Sequence, residues 1–131
     1  MEPYGKEELR EAAWAVASTI GKSEKAKLKL KADSWQYRMT VQSLGAHAIA
    51  LELINRALEA DTAKAPAGGY PKAELEEALE AIAEVIGRVE KVLPKFEAGT
   101  PQHTLAVRRI KALQLSTALI TEELGLQAGE R

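Results

Sequence analysis

The segment "IGRVEKVLPKFEAGTPQHTLAVRRIKAL", residues 86–113, decides how this chain folds, because residues 20–47, "IGKSEKAKLKLKADSWQYRMTVQSLGAH", repeat its outline. Shifted by 66 positions, residues 4–58 align with 70–124 without a gap, and 20 of the 55 pairs are identical. A composition rich in Ala, Leu and Glu would supply on the order of five identities by chance. A tandem duplication accounts for the excess. The matches reach both ends of the unit: Tyr4 with Tyr70, Ile20-Gly21 with Ile86-Gly87, Gln36 with Gln102, Leu53-Ile54 with Leu119-Ile120.

Hydrophobic period says what each copy builds. In the second, Leu75, Leu79, Ile82, Ile86, Val89, Leu93 and Phe96 recur at alternating steps of four and three, which is one face of a helix. "EAGTPQH" then provides Gly99 to end that helix, Thr100 to cap the next and Pro101 at its first position, where a missing N–H costs nothing. Ala106, Ile110, Leu113, Thr117, Ile120 and Leu124 form the following stripe. The first copy repeats the pattern more weakly with Leu9, Ala13, Val16, Ile20 and Leu30, a turn at Asp33-Ser34, then Thr40, Leu44, Leu51, Ile54 and Leu58.

One domain of 131 residues is therefore expected: a hairpin over about 4–60, a Pro- and Gly-rich linker over 61–71, and a second hairpin over about 72–126. Helices near 6–32, 35–60, 72–98 and 101–126 would each be roughly 40 Å long at about 1.5 Å per residue. A lone hairpin leaves an apolar face in water, and a second copy covers it. The predicted fold is all-α, a four-helix up-down-up-down bundle with a pseudo-twofold axis relating the hairpins. Pro94 cannot donate to the carbonyl of Glu90, so the third helix should bend or end there. The first, with Leu28 at that place, should run straighter.

Charge and composition narrow the function. Eighteen Lys and Arg against 19 Asp and Glu give a net charge of −1, with no general pull toward nucleic acid or anionic membrane. The absence of Cys removes disulfides, thiolate metal sites and thiol nucleophiles. "MEPYGKEELR" has neither a basic start nor an apolar core, and "AHAIALELI" is too short to span a bilayer, so a cytoplasmic location is expected. The lysines of "KSEKAKLKLK", residues 22–31, lack interleaved aromatics and read as charges complementing a helix C-terminus, so no nucleic-acid partner is expected. Glu-x-x-His spacing, a Gly-rich Lys-Ser/Thr loop and a Ser nucleophile elbow are all missing, so no metal, cofactor or catalytic residue is assigned. Gly21 and Gly87, each inside a predicted helix, point to close approach of two helices.

Two resemblances bear on His103 and its surroundings. "QHTLAVRRIKAL" resembles the histidine-phosphotransfer signature over three residues, with Ala106 and Val107 where that family places Lys and Gly. It implies phosphotransfer at His103; the local reading is instead a residue of the first helical turn, matched by Tyr37. Gly99 through Leu113 is similar to a "GTxQHTLxxxRIKAL" segment of small uncharacterised bacterial helical-hairpin proteins. That resemblance implies a soluble bacterial protein with Arg109 and Lys111 outward, and no activity.

Comparing the copies singles out the candidate sites. Val89, Leu93 and Leu113 keep the second stripe apolar where the first has Ser23, Lys27 and His47, which could form a small polar pocket for an anion or simply a wet end of the hairpin. Trp14 and Trp35 have Glu80 and Pro101 as partners, so the shared core does not require them. They are candidate contacts to a partner, either a second copy in a homodimer or another helical protein. The leading expectation is a non-enzymatic helical interaction or self-association module. The alternative is an anion-binding or phosphotransfer-like bundle.

Overall fold

The computed structural model describes residues 4–59 and 70–129, with side chains through residue 125. It holds four α-helices: α1, Lys6–Lys27; α2, Trp35–Leu58; α3, Lys72–Val92; and α4, Pro101–Gly129. A single 3-10 turn, Leu93–Lys95, follows α3, and no strand occurs among the described residues. Most of the expected linker lies outside the described residues.

The caps explain where the helices begin. Ser34 accepts a hydrogen bond from the Tyr37 N–H at 3.1 Å and donates its hydroxyl to the Lys31 carbonyl at 2.8 Å. Thr100 does the same 66 positions later, accepting from His103 N–H at 3.3 Å and donating to Glu97 carbonyl at 2.7 Å. Each hydroxyl satisfies one of the N–H groups that a helix start leaves unpaired, worth about 1 kcal/mol against Ala. Gly99 between them has φ +92°, a backbone state that its lack of Cβ permits. His103 thus sits in the first turn of α4, not at mid-helix.

The helices end earlier than expected at the hairpin turns. Pro94 lies in the 3-10 turn and α3 stops at Val92, as a residue without an N–H dictates. The straighter α1 expected from Leu28 is not found: α1 stops at Lys27, only one residue beyond the position equivalent to Val92, where α3 stops. Leu28 is 83% exposed, so no packing rewards another helical turn, and Lys25, Lys27, Lys29 and Lys31 crowd like charges there. Both turns carry a Ser or Thr hydroxyl bridge, and only the second contains a proline.

Among the described residues α1 packs on α2 and α4, and α3 on α2 and α4, while α2 and α4 also touch each other and α1 and α3 do not. One part of the core joins Ala46, Ala50 and Leu53 of α2 to Leu75, Ala78 and Ile82 of α3 and Leu113 and Ile120 of α4. The other joins Leu9, Ala12 and Val16 of α1 to Ile54, Ala112 and Leu115. Burying each of the large aliphatic side chains stabilises the fold by about 1.5–3 kcal/mol. Ala50 and Ser116, repeat partners on the two touching helices, are both wholly buried, small residues that let backbones approach. The Ser116 hydroxyl donates to the Ala112 carbonyl at 2.8 Å and so is satisfied within its own helix.

Gly21 and Gly87 do not serve close packing. A Cβ built on either would meet nothing within 4 Å. Nothing in the structure explains these two glycines.

Candidate functional site

His47 is the most unusual side chain of the first copy. On α2 it is 2% exposed, and Leu113, 66 positions later on α4, is 1% exposed. Ring nitrogen Nδ1 lies 2.7 Å from the Ser43 carbonyl and 3.3 Å from the Ser43 hydroxyl. The carbonyl can only accept, so Nδ1 carries the proton and Nε2 the lone pair. That lone pair is buried and has no partner among the described residues. Burial pushes the imidazole below its ordinary 6.5; the Ser43 carbonyl opposes this, and Arg109 of α4 adds to it by charge repulsion. Arg109, expected outward, is half-buried and close enough to act on the ring, because α4 turns this face to α2; Lys111 is exposed.

Ser23 and Lys27 are half-buried near the end of α1, whereas their partners Val89 and Leu93 are buried and half-buried. No hydrogen bond or ion pair links either to His47. None of the three lines the grooves described next, so the structure gives His47 to the core and leaves the other two at its edge.

Open grooves between described helices include one on each side of the α2–α4 contact. The larger, about 530 Å³, lies between α1 and α4 and is lined by Tyr4, Glu8, Glu11 and Ala12 on one side and by residues of α4 from His103 to Leu115 on the other. The smaller, about 310 Å³, lies between α2 and α3, with Val41, Gln42, Gly45, Ala46 and Ile49 facing Glu74, Glu77 and Ala78. All eight lining residues of the second stand 66 positions from residues that line the first. Five of those eight pairs are identical, including Glu8 with Glu74 and Glu11 with Glu77. The sequence carried this signal in the repeat identities, but only helix contacts reveal that they share a groove.

The differences between the grooves are electrostatic. In the first, Arg108 and Lys111 stand opposite the two glutamates; in the second, Gln42 and Gly45 take their places. Glu8, Glu11, Glu74 and Glu77 are all exposed and none is ion-paired to a described residue, so the grooves differ in the charges that line them and not in closed salt bridges. A Cβ added at Gly45 would meet nothing within 4 Å, so the groove is open beside it.

At the end of α2, Tyr70 donates its hydroxyl to the Glu52 carboxylate, Arg56 bonds the same carboxylate at 2.9 Å, and its guanidinium lies 5.9 Å from the centre of the Tyr70 ring. The hydrogen bond from Tyr70, then that from Arg56, holds Glu52 below the usual carboxylate range. Burial, and then the bond to Glu52, pushes Tyr70 up to about 12. This cluster ties the start of α3 to the end of α2.

Trp14 and Trp35 are 57% and 61% exposed. Trp14 lies on α1 away from Leu9, Ala12 and Val16, and Trp35 opens α2 beside the lysine-rich turn. Among the described residues no group of three His, Asp or Glu is placed to hold a metal ion, and no helix is long and apolar enough to cross a membrane. No protein-family model, no curated protein and no solved structure matches this chain.

Proposed function

We propose that the protein is a non-enzymatic helical module that associates with itself, built as an up-down-up-down bundle from two copies of one hairpin. The duplication is supported by the 20 identities in 55 aligned pairs, the two equivalent grooves and the matching Ser34 and Thr100 caps. The observation that carries the function is the exposure of Trp14 and Trp35. Large aromatic rings bury 150–250 Å² each when covered, about the largest contribution a side chain makes to an interface. The second hairpin manages the same fold with Glu80 and Pro101, so folding does not require the rings.

Sedimentation velocity of the full chain over a wide concentration range tests this. A concentration-dependent dimer is expected, weakened in Trp14→Glu and Trp35→Pro, whose new residues the other copy already carries. A monomer throughout would overturn the reading. The anion-pocket alternative has less support. With Nδ1–H committed to Ser43, His47 offers an anion only a lone pair.

A further inference from the structure

We propose that the groove between α2 and α3 receives the lysine-rich turn of a second copy of this chain, with Leu28 on its floor and Lys29 and Lys31 against Glu74 and Glu77. This rests on the self-association reading and names its surface. The two halves of the contact are complementary in charge and in shape. Residues 22–31 hold five lysines against the one acid Glu24, and residues 72–84 hold five glutamates against the one base Lys72. At the centre of the basic turn Leu28 is 83% exposed, the most exposed large apolar residue described. In the acidic groove the apolar floor includes Val41, itself 43% exposed, and Gly45 leaves open space for an incoming side chain.

The sister groove is the internal control. There the equivalent glutamates, Glu8 and Glu11, face Arg108 and Lys111 of the same chain. Among the described residues the α2–α3 groove has no such cation in its lining, so its acids are open to a cation from another molecule. The volume of about 310 Å³ accommodates a leucine side chain and the stems of two lysines, whose ammonium groups reach the rim. Because the contact joins two different surfaces, it closes as a dimer when each copy gives its turn and takes the other's. Trp35 stands next to the same turn and adds area to that contact.

The test uses the full chain with the sister groove's own cations, Gln42→Arg together with Gly45→Lys. Sedimentation equilibrium should show the dimer weakened by about tenfold or more, with the melting temperature unchanged or higher, since lysine is a better helix former than glycine. A charge exchange gives a second readout. The variant Glu74→Lys/Glu77→Lys and the variant Lys29→Glu/Lys31→Glu should each lose self-association, and mixing them should restore a heterodimer, because every groove then meets a turn of opposite sign. If the wild-type chain associates and the Gln42→Arg/Gly45→Lys variant does so equally well, the groove assignment falls and self-association stands. No heterodimer on mixing also overturns the assignment. A wild-type chain that stays monomeric removes both.

Discussion

Replacing His47 by Leu, the residue its repeat partner supplies, should stabilise the protein and remove a loss of stability in mild acid. A buried acceptor without a partner costs about 1–3 kcal/mol relative to its hydrated state, and Nε2 of His47 is such a group. Leucine removes that term, while the change of shape in a packed site costs less than about 1.5 kcal/mol. A net gain of about 1 kcal/mol follows, or roughly 3–6 °C in melting temperature for a domain of this size. The pH dependence has a definite sign. The folded-state pKa lies below the ordinary 6.5, so just below pH 6.5 the unfolded chain binds more proton than the folded one. The stability contributed by the neutral ring is fully present above 6.5 and is lost as pH falls from 6.5 through the folded-state value. The charge of Arg109 acts in the same direction. Thermal melts of wild type and His47→Leu from pH 8 to pH 5 measure this. The difference between the two proteins should widen below pH 6.5, and taking it cancels groups common to both, such as Glu52. A constant difference across the range, or a variant that melts lower at pH 8, would refute the reasoning.

Gly21→Ala and Gly87→Ala should each raise stability by about 0.5–1 kcal/mol, read by urea denaturation, because each lies within a helix with nothing near its Cβ position. Tyr70→Phe should reduce stability by about 0.5–1.5 kcal/mol and raise the Glu52 pKa toward the usual range, seen by NMR titration of the carboxylate. Because Glu52 is depressed in the fold, its contribution in wild type is present above its unfolded pKa and disappears as pH falls through the folded value. Ile54→Ala, at a fully buried site joining α1, α2 and α4, should cost about 2–5 kcal/mol by the same denaturation assay. Tryptophan fluorescence of the dilute chain should be that of exposed indoles and shift to the blue at concentrations where sedimentation detects association.

The helices were legible because their signals are local. Thr100 caps as read, the turn read at Asp33-Ser34 supplies the cap of α2, the stripes of α3 and α4 face inward, and α3 ends before Pro94, since each depends on neighbours within about a turn of the chain. Errors appear where a neighbour in space decides. Of the stripe assigned to α2, Ile54 is wholly buried but Leu44 and Leu51 are only half-buried, while Ala46, Ile49, Ala50 and Leu53 are buried. α2 touches three helices, and periodicity within one helix cannot say how many partners cover it or from which sides. Gly21 and Gly87 failed for the same reason. A glycine inside a helix signals either close approach or nothing, and only the position of the opposing helix distinguishes them.

The candidate sites divide along the same line. That His47 departs from the apolar pattern, and that Trp14 and Trp35 are not required by the shared core, could be read from the repeat alone by comparing equivalent positions. That the His47 ring is sealed with one nitrogen unpaired, while Ser23 and Lys27 stay at the edge, depended on how α2 meets α4. By itself the sequence determined an all-helical chain with its turns and the Thr100 cap, because hydrogen bonding and hydrophobic period within a helix are short-range. Tertiary structure alone decided that Glu74 and Glu77 face Gln42 and Gly45 while Glu8 and Glu11 face Arg108 and Lys111. Charges distant along the chain become neighbours only when helices pack, and it is packing that lines one groove with both signs and the other, among the described residues, with acids alone.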